Sequence, residues 1–239
     1  MRGQPKMRTV IIPTINEEEN IGRIIEAVYR YMGDEVAVLV IDDNSSDGTH
    51  ALVQSAAVRH PLVRLVVRRN ERGLGTAIRR GAQEAAEGPV VVMDADFSHD
   101  VTKLPMLFAG IEEGYDVVVG SRYMPGGKTV GWPAHRILVS RGAMLIAKLL
   151  LGAPLKDSMS NYAAFRSGKI LVRGVHHSGY KYLLEVLATV PGLRVKEVPI
   201  VFRDRTRGSS KLGGKTILLY LSLVLKLFAR KQRVHVRLS

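Results

Sequence analysis

The chain has 239 residues, a net charge of +13 and no cysteine, which excludes disulfides and thiolate metal sites. Hydrophobic residues make up 46% and charged residues 24%, as is typical of one folded domain or of one domain with an appendage. The positive excess favours anionic partners: nucleic acid, acidic lipid head groups or phosphorylated substrates. The sequence has neither a signal-peptide core nor a stretch of about 18 uncharged apolar residues, so we expect a protein made and kept in the cytosol.

The first half of the chain alternates short apolar runs with amphipathic segments. We predict strands over residues 9–12, 36–41, 63–67, 90–93 and 116–120, and helices from Ile21, from Thr49, after Gly75 and over residues 104–113. The first strand is predicted to stop at Pro13, and Asn16 is predicted to cap the first helix, with Glu17 in its first turn. Strands and helices that alternate with short links predict an α/β fold with a mainly parallel sheet and helices on both faces.

The predicted strand over residues 90–93 leads directly into two carboxylates, Asp94 and Asp96. Ligands of open α/β sheets bind beyond the carboxyl ends of the strands, so we expect a site here. Side chains alternate along an extended segment, which lets both carboxylates point the same way. A divalent cation bridged to a substrate phosphate would relieve their repulsion, although a solvated turn is the alternative for so short a pattern. Gly73 and Gly75 similarly indicate either a phosphate-binding loop or a simple helix entry.

After Gly120 the chain becomes richer in glycine, proline and basic residues. Arg122 lies in this stretch, and a predicted helix over residues 135–151 places Ser140 one turn after Arg136 on the same face. A further strand is predicted over residues 195–202. The basic segment that follows it is predicted to be a mobile loop.

The last apolar stretch, residues 216–230, predicts a helix with a narrow polar stripe. It is shorter than the about 20 apolar residues that span a bilayer. Its charged stripe and basic end favour a helix lying in a membrane interface, and packing on the domain or on a partner subunit is the alternative. We therefore predict a catalytic domain over residues 1–205, and a basic loop with an amphipathic membrane-interface helix over residues 206–239.

Taken together, these segments resemble the family 2 glycosyltransferases. The motifs that carry the resemblance are, in chain order, PTINEEENI, VLVIDDNSSDGT, RGLGTAIRRG, VVMDADFSH, VVVGSRY, GWPAHRILVSRGA and RTRGSSKLGGK. Within that family the chain resembles the dolichyl-phosphate mannose synthases over residues 7–225. The resemblance implies a GT-A fold, a nucleotide-sugar donor, Mg²⁺ or Mn²⁺ as cofactor, and a polyprenyl-phosphate acceptor at the membrane surface.

The resemblance also implies roles for individual residues. The donor would be bound by Pro13, Ile15, Glu17, Ile41, Asp43, Asp94, Ala95, Asp96, Arg205 and Lys211. The metal would be held by Asp94, Asp96 and Ser98, and the acceptor phosphate by Arg122, Arg136 and Ser140. Asp94, Asp96, Arg122 and Arg136 are the predicted catalytic residues. Ser98 stands where relatives often have a glutamine, and residues 157–162 lack a proline and a glycine of the family pattern, which leaves the choice of sugar open.

The function implied is the transfer of mannose from GDP-mannose to dolichyl phosphate with inversion, by a protein peripheral on the cytosolic face of a membrane. An acceptor phosphate is already ionised near neutral pH and needs no strong base, whereas arginines suit it through paired hydrogen bonds. UDP-glucose or another donor, undecaprenyl phosphate as acceptor, and a membrane-anchoring partner subunit remain alternatives. A non-catalytic anion-binding module is a further alternative, but an aromatic content of 6% and the lack of a nucleic-acid motif argue against nucleic acid.

Overall fold

A seven-stranded sheet forms the centre of the part of the chain that the computed structural model describes, namely residues 6–152, 155–176, 179, 181–204 and 214–237. Side chains of the last helix are described over residues 217–230. The strands of this sheet and of a small two-stranded sheet are β1 (Arg8–Thr14), β2 (Val36–Asp42), β3 (Val63–Val67), β4 (Val90–Val92), β5 (Val117–Ser121), β6 (Lys128–Val130), β7 (Ala163–Phe165), β8 (Val195–Pro199) and β9 (Val201–Arg203). The helices are α1 (Ile21–Met32), α2 (Thr49–Arg59), α3 (Leu74–Glu84), α4 (Leu104–Glu112), α5 (Ala134–Leu151), α6 (Gly168–Gly174), α7 (Tyr182–Thr189) and α8 (Gly214–Arg237).

The strand order of the main sheet is β3-β2-β1-β4-β7-β5-β8, and β6 pairs with β9 beside it. All pairings are parallel except those of β7, which runs antiparallel between β4 and β5. One buried cluster joins the sheet to α1, α2 and α4, and a second joins its other face to α3, α6 and α7. The predicted α/β fold, with a mainly parallel sheet covered on both faces, is therefore confirmed.

The reversed direction of β7 determines where the preceding segment lies. An antiparallel strand begins at the edge where its parallel neighbours end. Residues 157–162 lead into β7, so they enter the sheet between the carboxyl ends of β4 and β5. The loop before β7 therefore lies at the edge where the sequence predicts a site.

Two predictions for the first loop were wrong. β1 continues through Pro13 to Thr14, because Pro13 lies beyond the part of β1 that pairs with β4 and its missing N–H interrupts no bond there. Asn16 does not cap α1, which begins at Ile21. Instead the Asn16 side chain accepts a hydrogen bond from the Ser46 N–H at 2.9 Å, and its own N–H donates to Ser45 Oγ at 2.8 Å. Asn16, which local propensity predicts as a helix cap, thus joins the loop after β1 to the loop after β2.

Helix α8 packs against α5 and α7. Their contact is a separate cluster of buried residues: Ala147, Leu151, Leu184, Tyr220, Val224 and Leu227. The Tyr220 hydroxyl donates to the carbonyl oxygen of Ala143 at 2.5 Å and so joins α8 to α5. Within the described residues, no helix combines the length and the apolar character needed to cross a bilayer.

Candidate active site

The two carboxylates after β4 lie in a tight turn. The backbone N–H of Asp94 donates to Nδ1 of His99 at 3.0 Å, and the Ser98 N–H donates to Oδ1 of Asp96 at 3.0 Å. Phe97, which lies between Asp96 and Ser98, has a φ of +57°. A non-glycine residue in that region costs about 1–3 kcal/mol and is found disproportionately at functional sites. Both residues lie at the edge of the sheet; the Asp94 side chain is 22% exposed, whereas Oδ2 of Asp96 is buried.

His99 fixes the orientation of this turn. A backbone N–H can only donate, so Nδ1 of His99 is the acceptor and the neutral ring carries its proton on Nε2. Nε2 lies 3.7 Å from Oδ2 of Asp94, and the ring stacks on Tyr162 with centroids 4.8 Å apart. The imidazole is buried between Tyr162 and the turn, so it holds the backbone of Asp94 in place. The sequence analysis did not identify His99 as a site residue, although its place three residues after Asp96 was a signal.

Asp94 and Asp96 could hold a metal ion only together with ligands from a substrate, because the described part of the protein does not surround the position with enough ligands of its own. Among the described residues, no cluster of three or more His, Cys, Asp or Glu side chains could hold a metal. Ser98, the predicted third ligand, is buried with 3% exposure, and its role stays a prediction. Asp94 and Asp96, two carboxylates after one strand end, nevertheless fit Mg²⁺, which proteins often bind through one or two carboxylates together with substrate phosphates.

Arg122, immediately after β5, is held by Asp157. Its Nε and Nη2 donate to the two carboxylate oxygens at 2.7 Å each, and its backbone N–H donates to Oδ2 at 2.9 Å. The Asp157 N–H in turn donates to Glu197 at 2.9 Å. Burial opposes the charge on the guanidinium, but the hydrogen bonds and attraction from Asp157 outweigh it and raise the pKa of Arg122. Arg122 is therefore a rigid donor whose charge is already balanced.

Arg136 and Ser140 face the same cavity from α5, as their spacing predicts. The Arg136 guanidinium lies 4.1 Å from the ring centroid of Trp132 and donates to Oδ2 of Asp204 at 2.8 Å. Stacking on an aromatic face and a carboxylate partner both restrict the guanidinium plane. Arg136 is thus a second oriented donor with a carboxylate beside it.

Lys181, directly before α7, was not predicted. Its Nζ lies 3.5 Å from the carbonyl oxygen of Met159, at the limit of a hydrogen bond. Burial lowers the pKa of Lys181 to about 8; the positive charge of Arg122 acts in the same direction, whereas Asp157 and Asp94 oppose it. Lys181 therefore lies close enough to these three groups to interact with their charges. No local pattern around residue 181 marks it as a site residue.

One cavity of about 500 Å³ joins these groups. Its polar residues include Asp94, Arg122, Arg136, Ser140 and Lys181, together with His99, Ser160 and Asn161. Aromatic and apolar residues from the β-strand region, α5 and α8 line the rest: Trp132, Val139, Ala143, Ile146, Phe202, Ile217, Tyr220 and Leu221. The cavity thus has a charged end beside the strand termini and an apolar end between α5 and α8. It suits a ligand with an anionic head and an apolar chain.

The residues predicted to bind the nucleotide-sugar donor after β1, β2 and β4 differ in their exposure to solvent. Ile15 is 46% exposed, whereas Ile41 has no exposed surface and Ala95 is buried. The Ile41 side chain packs in the core, so only its backbone could flank the nucleotide base, and its predicted role stays a prediction. Pro13 and Glu17 are partly exposed in this loop region. Arg205 and Lys211 lie outside the described residues.

Asp43 is also committed to contacts within the protein. Its Oδ1 accepts from Arg68 Nε at 2.7 Å, and its Oδ2 accepts from the backbone N–H of Gly73 at 2.8 Å. Arg68 Nη1 continues to Thr76 at 2.9 Å. The Gly73 N–H is therefore occupied, which favours the helix-entry interpretation of this loop over phosphate binding. Asp43 remains a predicted donor contact at the base of the same loop region.

A mainly parallel sheet with carboxylates at one strand end, beside a cavity lined by oriented arginines, has the usual position of a ligand site in an α/β fold. Comparison with known proteins identifies the family. The model of the family described as "Glycosyl transferase family 2" matches residues 9–171. The chain belongs to this family.

Among curated relatives, the chain is similar to the dolichol-phosphate mannosyltransferase of Pyrococcus furiosus, with 39% identity over 92% of this chain and 63% of that protein. It is also similar to the polyprenol monophosphomannose synthase of Mycolicibacterium smegmatis, with 37% identity over 90% of this chain and 84% of that protein. The chain thus spans less than two thirds of the length of the Pyrococcus furiosus relative.

A solved structure agrees with the fold. Glucosyl-3-phosphoglycerate synthase from Mycobacterium tuberculosis, in complex with Mn²⁺, UDP-glucose and phosphoglyceric acid, superposes with a TM-score of 0.73 at 20% identity, over 94% of this chain and 80% of that one. At this identity the likeness establishes the fold alone, and the predicted GT-A fold is confirmed.

Proposed function

We propose that this glycosyltransferase transfers mannose from GDP-mannose to a polyprenyl phosphate. The observation that carries the proposal is the single cavity in which Asp94, Arg122 and Arg136 meet an apolar passage between α5 and α8. A phosphate head on an isoprenoid chain matches both ends of that cavity. The names of the Pyrococcus and Mycolicibacterium relatives support mannose as the sugar and a polyprenyl phosphate as the acceptor.

Asp94 and Asp96 would hold a divalent cation, Mg²⁺ or Mn²⁺, together with the donor diphosphate. The position of these two carboxylates directly after β4 supports this assignment, as does the Mn²⁺ in the M. tuberculosis structure of the same fold. Such an ion, when bound, neutralises the negative charge that develops on the leaving diphosphate. The residues of the chain itself orient the site: His99 holds the backbone of Asp94, and the Phe97 turn keeps both carboxylates at the strand end.

Arg122, Arg136 and Ser140 would bind the acceptor phosphate. Both guanidinium groups are held by carboxylates and aromatic rings, so they lose little freedom when a phosphate binds. Their remaining N–H groups and the Ser140 hydroxyl can donate to phosphate oxygens. The acceptor oxygen is already ionised, so the site needs no general base, and Asp157 is free to orient Arg122.

We expect the sugar to be transferred in a single displacement at its anomeric carbon, without a covalent intermediate on the protein. An acceptor phosphate oxygen attacks the anomeric carbon and forms a new C–O bond. The bond from that carbon to the donor diphosphate breaks, and its electron pair leaves on the diphosphate oxygen. No proton is transferred and the configuration inverts, which the anomeric proton coupling of the purified product would report.

The protein would work at a membrane surface, and we place it on the cytosolic face. Leucines on the outer sides of α5 and α8 are between 56% and 74% exposed: Leu138, Leu145, Leu149, Leu218, Leu219 and Leu225. Exposed apolar surface of this extent is typical of lipid or protein contact. The apolar end of the cavity lies between the same two helices, so a lipid-borne acceptor could enter directly from the bilayer. Because α8 also packs on α5 and α7, one side of this helix would face the membrane interface while the other packs on the domain.

The test is incorporation of label from GDP-mannose into an organic-extractable lipid, with dolichyl phosphate or undecaprenyl phosphate in vesicles and Mg²⁺ or Mn²⁺. Wild-type protein should transfer mannose, and Asp96→Asn should abolish transfer while leaving the melting temperature unchanged. Glu112→Gln, which alters a carboxylate on an exposed ion pair with Arg8, is the matched control and should retain activity. Transfer from UDP-glucose but not from GDP-mannose would reject the proposed donor, and full activity of Asp96→Asn would reject the proposed metal site.

A further inference from the structure

Both arginines that line the cavity are already paired with carboxylates of the protein. Arg122 is paired with Asp157 and Arg136 with Asp204, so neither guanidinium brings net positive charge. Lys181 differs from both: in the part of the chain that the structure describes, the one hydrogen-bond partner of its ammonium group is the carbonyl oxygen of Met159, at 3.5 Å. It is the cavity-lining cation, among the described residues, for which no carboxylate lies within ion-pair distance.

An ammonium group in this position has unused capacity. It carries three donors, and the bond to Met159 is long enough to be weak. A cation crowded by protein atoms and lacking a carboxylate partner is costly unless an anion reaches it. Both substrates of the proposed reaction are anionic, and the cavity opens beside the ammonium. A phosphate oxygen of a substrate is therefore a suitable partner for the Lys181 ammonium.

We infer that Lys181 is a substrate-binding residue whose ammonium contacts a phosphate oxygen where the donor diphosphate and the acceptor phosphate meet. Its position supports this location, since the charges that act on it are those of Arg122 and Asp157 on the acceptor side and of Asp94 on the donor side. The inference rests on the proposed function for the identity of the two substrates. The chemistry, an ammonium on a phosphate oxygen, is the same for either source.

The competing role for Lys181 is structural, because its bond to Met159 could simply hold residues 157–162. Calorimetric titrations of four variants separate the two roles: Lys181→Met removes charge and donors, Lys181→Gln keeps a donor for the carbonyl, Lys181→Arg keeps the charge, and Lys169→Met removes an exposed lysine elsewhere. The titrants are farnesyl phosphate, farnesol as its phosphate-free counterpart, and GDP with Mg²⁺. Transfer activity is not needed for any of these measurements.

Loss of a charged hydrogen bond should weaken binding of a phosphate ligand about 10- to 100-fold in both Lys181→Met and Lys181→Gln. Lys181→Arg and Lys169→Met should retain most of the affinity, and farnesol binding should not change. A loss confined to farnesyl phosphate identifies the acceptor as the source, and a loss confined to GDP identifies the donor. Unchanged affinities in Lys181→Gln, or a wild-type protein that binds neither phosphate ligand, would overturn the inference.

If the uncharged variants do not fold, wild-type protein with ¹³C-dimethylated lysines provides the test. The Lys181 signal, assigned by its absence from Lys181→Arg, should shift with farnesyl phosphate or with GDP but not with farnesol, and a signal that ignores both phosphates would overturn the inference. Failure of wild-type mannose transfer with a Lys181-dependent phosphate affinity would reject the proposed function only. Transfer with Lys181-independent affinities would reject this inference only.

Discussion

Removing the carboxylate of Asp157 should destabilise the protein far more than an average polar substitution. The Asp157 side chain is fully buried and accepts three hydrogen bonds from Arg122, whose side chain is 6% exposed. Asp157→Asn keeps the shape but leaves a buried guanidinium without a counter-charge, which costs about 3–5 kcal/mol of unfolding free energy. For a chain of this length that loss lowers the melting temperature by about 6–20 °C.

Urea denaturation of Asp157→Asn, Arg122→Met and the double variant measures the coupling directly. The double variant should be more stable than Asp157→Asn alone, because it no longer buries an unpaired charge. Glu87→Gln, which breaks an exposed pair with Lys169, is the control and should leave the unfolding midpoint unchanged. A loss below about 1 kcal/mol in Asp157→Asn, as for a surface ion pair, would refute the view that burial makes this pair essential.

Three further outcomes are expected. Gly81→Ala should lower the unfolding free energy by about 1–3 kcal/mol in urea denaturation, because a Cβ at that position would lie 2.5 Å from a β1 side chain; Gly22→Ala, with open space around it, should not, and equal effects would contradict this packing. Tyr220→Phe should cost about 0.5–1.5 kcal/mol through loss of the bond to Ala143, and an unchanged urea midpoint would show that this bond contributes nothing. The lowered pKa of Lys181, about 8 against the usual 10.5, means that the folded state holds fewer protons than the unfolded state between those values. Stability from this group therefore rises with pH across that window, and Lys181→Met should lose the rise; parallel pH curves for the two proteins would contradict the shift.

Those parts of the site that depend on local pattern could be predicted from the sequence. The apolar run before Asp94 and Asp96 is a strand whatever surrounds it, so the carboxylates had to lie at a sheet edge. Arg136 and Ser140 are one turn apart on a helix, so they had to share a face. Both deductions use only the periods of strands and helices, and tertiary packing left them unchanged.

The remaining contacts could not be predicted, because they depend on chain reversal. Arg122 and Asp157 are 35 residues apart and meet because β7, only three residues long, runs against its neighbours. Nothing in residues 163–165 signals that direction. Lys181 lines the same cavity although it follows α6, far along the chain from Asp94 and Arg122. Asn16 shows the opposite case, in which the local preference for a helix cap was overridden by a loop contact.

The reversal of β7 also explains why the arginines of the cavity are balanced before any substrate arrives. The loop that enters the sheet between β4 and β5 brings Asp157 to the end of β5, two strands away from the carboxylates that follow β4. One acid therefore faces the proposed donor while another fixes the arginine for the proposed acceptor. Fixed donors reorganise little on binding, which is how preorganised sites stabilise developing charge. The consequence is that orientation comes from the paired arginines, and the excess positive charge that two anionic substrates require must come from groups that are not paired, of which Lys181 is the described example.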